Sequence, residues 1–102
     1  MGFFVVTMVS GPEWDPAGGP RQQRGWDQHA AFMDGLVERG FVVLGGPLGD
    51  AVDPVAMLVV DATSAGEVTA QLAADPWKAM GILHVGSITP WTIWLDGRRA
   101  GG

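Results

Sequence analysis

The chain has 102 residues, enough for one domain with a core of modest size. Apolar residues make up 47% of it and charged residues only 17%, which indicates a packed domain and excludes a disordered chain. The net charge is −5, and the only two adjacent basic residues are Arg98 and Arg99, so nucleic acid is not an expected partner. With no cysteine, the sequence excludes disulfides, thiolate metal sites and cysteine nucleophiles.

The sequence also carries no recognisable targeting or membrane signal. Residues 1–6 lack the positive region and cleavage site of a secretory signal, and no apolar run approaches the length of a membrane span. We therefore expect a cytoplasmic protein with no membrane partner. Residues 1–102 are expected to form a single domain, with a flexible tail at 97–102.

The first half of the chain predicts a strand, a loop and a helix. Residues 3–10 form a continuous β-branched and aromatic run, typical of a strand buried on both faces. Residues 11–20 contain three prolines and three glycines and are predicted to be a loop. Residues 21–39 show helical periodicity, and Gly40 is expected to end this helix. The apolar positions that recur at helical spacing are Trp26, Ala30, Met33 and Val37.

The second half predicts two further strands, a helix and a long last strand. Ser64, followed by Glu67 three residues later, matches a capping box and marks the start of the second helix. Asp75-Pro76 is expected to stop that helix. The predicted elements are a strand at 41–44, a glycine-rich turn at 45–50, a strand at 55–60, a helix at 65–74, a short helical piece at 77–80 and a strand at 82–95, bent near Pro90.

This order of elements predicts an α+β ferredoxin-like fold. The βαββαβ order places two helices on one face of a four-stranded antiparallel sheet and leaves the other face open. The first strand is apolar on both of its faces, since Phe3 and Val5 point to one side and Phe4 and Val6 to the other. A second cover is therefore needed for the open face, and the simplest one is a second copy of the chain, giving a homodimer through the sheet.

Two residues stand out as candidates for chemistry. His29 falls within the apolar arc of the first helix, so its imidazole faces the sheet, where it is either a proton-transfer group or a core histidine that binds one backbone carbonyl. Asp75 precedes a proline, which is ordinary turn chemistry. It gains a catalytic interpretation only if the fold brings it to His29, because a carboxylate there would orient the ring and strengthen it as a base.

Metal and cofactor chemistry find little support in the sequence. His29, His84 and scattered aspartates do not have metal-ligand spacing, so no metal site is expected. The turn Gly45-Gly46-Pro47 lacks the Lys-Ser/Thr ending of a phosphate loop and is interpreted as a tight turn that lines a pocket. His84 lies among apolar neighbours in the last predicted strand and is expected to be packed or at an interface. No organic cofactor is expected either.

The combined pattern resembles a known family. Its order and spacing along nearly the whole chain are similar to those of the YciI-like (YCII-related) family in the dimeric α+β barrel superfamily. The segments that carry the resemblance are His29 on its helix, Leu36–Gly40, Leu44–Leu48, Asp75–Trp77 and Pro90-Trp91. The resemblance implies a ferredoxin-like monomer that pairs through its sheet and has one pocket in each subunit.

The resemblance also implies a function. The proposed catalytic pair of the family falls here on His29 and Asp75, and one branch eliminates hydrogen chloride from a chlorinated hydroxyquinol without a cofactor. Some relatives carry an arginine three residues before the histidine, where this chain has a tryptophan, which suits an apolar or aromatic ligand. The expected binding residues are Trp26, Met33, Gly46, Pro47 and Trp77.

Three hypotheses follow for the function. The first is a cofactor-free lyase or isomerase that moves protons on an aromatic or enolic molecule, with His29 as the general acid or base. The second is a non-catalytic dimer of the same fold that binds a small ligand. The third is a haem-handling or monooxygenase-like barrel of the same superfamily, a hypothesis that the residues of this sequence support only weakly.

Overall fold

The described residues form four strands and three helices. The computed structural model describes residues 2–49 and 53–99. The elements are strands β1 (Gly2–Ser10), β2 (Val42–Pro47), β3 (Ala56–Ala62) and β4 (Leu83–Trp91), and helices α1 (Trp26–Glu38), α2 (Ala65–Leu72) and α3 (Pro76–Ala79). Two 3₁₀ turns, Pro20–Gln22 and Gly97–Arg99, accompany them. No helix in the described part of the chain is both long and apolar enough to cross a membrane.

The strands form one antiparallel sheet in the order β2-β3-β1-β4. β1 and β3 are central because their sequences are the most continuously apolar, whereas β2 and β4 are edges. This confirms the predicted α+β ferredoxin-like class, in which each helix connects two strands that lie on either side of a third.

The core lies between the helices and one face of the sheet. The sheet contributes alternate residues, as the two-residue period of a strand requires. The helices contribute the apolar side chains that recur at helical spacing, together with a tryptophan that is 1% exposed. The buried members of this core include Val6, Met8, Leu58, Val60 and Leu83 from the sheet, and Leu36, Val68, Leu72 and Trp77 from the helices.

The other face of the sheet is apolar, and none of α1, α2 and α3 packs on it. We call it the open face. Its apolar residues on β1 are only partly buried, as the two-sided pattern of that strand predicted. Strand pairing places further apolar residues on the same side, since Trp91 lies opposite Phe3 and Met57 opposite Thr7. Its apolar members are Phe3, Val5, Val9, Leu44, Met57, Val59 and Trp91.

The edge strands differ from their predicted bounds. Gly45-Gly46-Pro47 was expected to be a tight turn, but it continues β2, with Gly46 paired to Met57. An edge strand needs ladder partners on one side only, so it tolerates residues that would break a central strand. For the same reason Pro90 pairs in register with Phe4, and the irregularity in β4 falls at Gly86 instead, where the register shifts between Thr7 and Met8.

The predicted helix limits are confirmed in part. Ser64 caps α2 by accepting the backbone N–H of Glu67, while the Glu67 carboxylate accepts from the backbone of Thr63. α1 is shorter than the predicted helix 21–39, because a 3₁₀ turn and the left-handed Gly25 precede it. β4 ends at Trp91, not at residue 95. Of the tail predicted at 97–102, residues 97–99 form a 3₁₀ turn and the rest lie outside the described residues.

Candidate active site

The start of α1 is fixed by a glycine. Gly25 has φ of 70°, in the left-handed region that favours glycine, and its carbonyl accepts the first helical hydrogen bond, from the His29 backbone N–H at 3.0 Å. A Cβ added here would lie 2.8 Å from the Met80 sulfur. α1 can therefore begin close to α3, which brings His29, in the first turn of α1, next to the start of α3.

The start of α3 is fixed by an aspartate cap. Asp75 Oδ1 accepts the backbone N–H of Trp77 at 2.9 Å, and Pro76 occupies the first helical position, where its missing N–H costs nothing. The Trp77 indole N–H donates to the carbonyl of Arg24 at 2.7 Å. This bond ties the start of α3 directly to the residues that precede α1.

These two helix starts bring His29 and Asp75 into contact across 46 positions of sequence. His29 Nδ1 lies 2.9 Å from each carboxylate oxygen of Asp75, and the two side chains are 12% and 3% exposed. A carboxylate only accepts hydrogen bonds, so Nδ1 carries the proton that it donates to Asp75. The Nε2 lone pair is thereby left available, and Nε2 forms no hydrogen bond within residues 2–49 and 53–99.

Aromatic rings hold the imidazole in place. The His29 and Trp77 rings are stacked, with centroids 3.9 Å apart and planes 6° apart. The Trp26 ring lies against both, with its centroid 5.9 Å from that of His29 and 5.8 Å from that of Trp77. The Trp14 ring packs edge-to-face against Trp77. With one ring face covered and Nδ1 bound to Asp75, the imidazole has little freedom to rotate.

The imidazole lines a cavity of about 530 Å³ between α1 and the edge of the sheet. The structure brings all five predicted binding residues to this cavity, although Gly46 and Pro47 reach it from β2 and not from a turn. Asp75 lies behind the imidazole and does not line the cavity. The lining residues that bear on the site are Trp14, Arg21, Gln22, Trp26, His29, Met33, Asp34, Gly46, Pro47 and Trp77.

Among the cavity residues that were not predicted, three polar or aromatic ones lie before α1. Trp14, Arg21 and Gln22 belong to the segment between β1 and α1, whose first part was interpreted as a plain loop. The available signal was Pro20 followed by two long polar side chains, immediately before the helix that carries His29. A proline at the first position of a helical turn is ordinary, however, and nothing in the pattern says where such a turn points.

No other part of the described chain offers a comparable cluster of reactive groups. His84 is exposed on β4, outside the cavity, where its Nδ1 lies 3.3 Å from the carbonyl of Val85. In residues 2–49 and 53–99, no three His, Asp or Glu side chains come together in an arrangement that could hold a metal ion.

Comparison with known proteins gives one structural relative of note. No family model matches the sequence, and no curated protein matches it. Among solved structures, the fold is similar to 5-chloro-2-hydroxyhydroquinone dehydrochlorinase (TftG) from Burkholderia phenoliruptrix AC1100, in complex with 2,5-dihydroxybenzoquinone. The match has a TM-score of 0.57 and 21% identity, and it covers 94% of this chain and 96% of the other. The chain therefore shares the fold of a dehydrochlorinase, and membership of the YciI-like family stays a prediction.

Proposed function

We propose that the chain is a cofactor-free enzyme of the YciI-like family that moves protons on a small aromatic or enolic molecule, as a lyase or isomerase. The observation that carries the proposal is His29, bound through Nδ1 to buried Asp75 at 2.9 Å while its ring lines a cavity of about 530 Å³. That volume is within the range of about 300–1,000 Å³ typical of small-molecule sites.

His29 acts as the general base through Nε2. Asp75 fixes the tautomer that leaves Nε2 unprotonated, and it stabilises the imidazolium that forms when Nε2 takes a proton. Trp77, stacked on the ring, supplies an aromatic face to the same cation. The imidazolium then returns the proton to another atom of the substrate, so the histidine ends the cycle unchanged.

A phenolic or enolic substrate suits this chemistry because its conjugate base shares negative charge between oxygen and carbon. His29 removes a hydroxyl proton and returns a proton to a ring carbon, giving the keto tautomer. If that carbon carries chlorine, its C–H bond has formed and its C–Cl bond then breaks, with the electron pair leaving as chloride. A second hydroxyl loses its proton, so the ring becomes a quinone and the net loss is HCl, with no external oxidant.

The lining of the cavity supports a flat, conjugated substrate. Trp26 and Met33 come from α1, and the Gly46 backbone at the sheet edge leaves room for a planar group to approach. An indole and a thioether both form favourable contacts with an aromatic ring. TftG, whose fold is similar, was solved with a dihydroxybenzoquinone, a molecule of this shape.

Asp75→Asn tests the role of the carboxylate. Asparagine caps a helix as well as aspartate does, so α3 is expected to persist. The amide can donate to Nδ1, which moves the ring proton to Nε2 and removes the base. We expect kcat for chloride release from 5-chloro-2-hydroxyhydroquinone to fall roughly 10²-fold or more. Chloride is measured by ion chromatography in anaerobic buffer.

The matched control is Asp27→Asn, in the exposed first turn of α1 and outside the cavity lining. It is expected to leave kcat unchanged. If Asp75→Asn released chloride as fast as the wild type, Asp75 would have no orienting role. If the wild type bound the ring without releasing chloride or exchanging protons, the chain would be a ligand-binding protein and not an enzyme.

We also propose that the chain forms a homodimer through the open face. Phe3, Val5 and Val9 lie only partly buried along its centre, while Met57 is 38% and Trp91 is 45% exposed. An apolar sheet face of this kind marks an interaction surface. A second copy covers it with the same residues, since a two-fold axis makes one patch complementary to itself.

The expected mass in solution is twice the chain mass of 10.7 kDa, measured by size-exclusion chromatography with light scattering at micromolar concentration. Val5→Glu places a charge at the centre of the open face and is expected to give monomers, because an unpaired charge is costly to bury. Ala70→Glu, on the exposed side of α2, is the control and should stay dimeric. A monomeric wild type would contradict the dimer.

A further inference from the structure

We infer that Arg21 and Gln22 form an anion-recognition rim on the cavity, so that the ligand presents an acidic oxygen there while another of its atoms faces His29. We call these two side chains the rim. The inference rests on the proposed function in one respect only, which is that the ligand binds in the same cavity. It specifies the class of ligand as a ring or enol that carries an oxygen anion, either at neutral pH or once His29 has taken its hydroxyl proton.

The 3₁₀ turn that carries the rim is held by a buried glutamine. The Gln23 side chain accepts the backbone N–H of Asp15 at 2.8 Å and donates to the carbonyls of Asp15, Gly18 and Gly19 at 2.9–3.2 Å. Gln23 is 5% exposed. A buried, fully bonded amide fixes the loop 15–19 against the turn, so Arg21 and Gln22 project from a defined base.

The rim offers mainly hydrogen-bond donors. Gln22 Oε1 already accepts the backbone N–H of Gly19 at 2.8 Å, which leaves its NH₂ group as the free end of the amide. The Arg21 guanidinium has only donors, and it forms no ion pair or hydrogen bond with residues 2–49 or 53–99. A ligand oxygen that carries negative charge accepts from both groups in charge-assisted hydrogen bonds, which are about twice as strong as those to a neutral hydroxyl.

The charged residues around the cavity also favour one orientation of the ligand. Among the described lining residues, Arg21 is the one permanent cation and Asp34 the one carboxylate. Arg21 precedes α1, whereas Asp34 lies eight residues after Trp26, about 12 Å further along the helix axis. An anionic oxygen of the ligand is attracted to Arg21 and repelled by Asp34. His29 lies between these two residues in the chain, in the first turn of α1.

The test compares an anionic six-membered ring with a neutral one. At neutral pH 2,5-dihydroxybenzoquinone is an anion, because each hydroxyl is a vinylogous carboxylic acid, whereas hydroquinone is uncharged. Isothermal titration calorimetry at pH 7 is expected to show that the wild type binds the anion at least about tenfold more tightly. Arg21→Gln should lose most of that preference while keeping its affinity for hydroquinone. Gln22→Glu, which replaces the NH₂ group by a carboxylate oxygen, should lose it as well.

Arg24→Gln is the matched control. Arg24 lies three residues away, is exposed, and is paired with Glu13 at 3.7 Å outside the cavity lining. Its substitution should change neither affinity. Equal affinities of the wild type for the two rings, no binding of the anion, or an equal loss in Arg21→Gln and Arg24→Gln would each overturn the rim. Because binding alone is measured, failure here is distinct from a failure of catalysis by His29, which Arg21→Gln leaves in place.

Discussion

His29→Asn is expected to lower the rate of proton transfer by roughly 10²–10⁴-fold, the usual contribution of a general base. The asparagine Nδ2 occupies the place of Nδ1 and can still donate to Asp75, so the buried carboxylate keeps its partner. What is lost is Nε2, the one ring atom left free to take a proton. Steady-state kinetics on the chlorinated or enolic substrate measure the loss, with circular dichroism as the check on folding.

Comparing His29→Ala with His29→Asn separates the two roles of the imidazole, which are to act as a base and to bind the buried carboxylate of Asp75. His29→Ala removes the base and also leaves the Asp75 carboxylate, which is 3% exposed, without its imidazole partner, which is costly for stability. We expect it to be as inactive as His29→Asn and less stable. The control for activity is His84→Asn, which makes the same change as His29→Asn at an exposed histidine. Turnover by His29→Asn at the wild-type rate would eliminate His29 as the base.

The largest expected effect on stability is that of Trp77→Ala. Trp77 is 1% exposed, stacks on His29, contacts two further tryptophan rings and donates to the carbonyl of Arg24. Removing such a side chain leaves a large cavity, at a cost of about 3–5 kcal/mol in the free energy of unfolding. For a domain of this size that is a large share of the total, and urea denaturation measures it directly.

Trp77→Phe is the graded control, because it keeps an aromatic face against His29 and loses only part of the ring and the indole N–H. Its cost is expected to be about 1–3 kcal/mol, much of it from the Arg24 carbonyl left without a donor. A Trp77→Ala variant as stable as the wild type would contradict the view that Trp77 joins the starts of α1 and α3. In that case the position of His29 against Asp75 would need another explanation.

Periodicity and local chemistry predicted most of the fold. β1 was predicted because a β-branched run has one dominant interpretation, and the start of α2 because Ser64 and Glu67 stand at capping distance. Where the prediction was wrong, contacts with distant parts of the chain determined the local structure. Gly45 and Gly46 favour a turn by themselves, yet the apolar edge of β3 supplies ladder partners that hold them in β2.

The candidate site was predicted less completely, for a physical reason. The helical arc placed His29 toward the sheet, and the structure gives its side chain 12% exposure. Its contact with Asp75 spans 46 positions, and the sequence alone offers no distance between them; only the family resemblance paired the two residues. Arg21 and Gln22 were missed because the bonds that orient their turn come from Gln23, a side chain whose partners are all backbone groups.

The central claim, that the His29–Asp75 pair moves protons on a ring in this cavity, is tested most directly by hydrogen–deuterium exchange on a substrate with no leaving group. Proton NMR can follow exchange at the ring carbons of hydroxyhydroquinone in anaerobic D₂O, which passes through the keto tautomer proposed above. We expect the wild type to accelerate exchange at least about 10²-fold over buffer, and His29→Asn and Asp75→Asn to remove that acceleration. Exchange no faster than in buffer, or equally fast in all three proteins, would contradict the account.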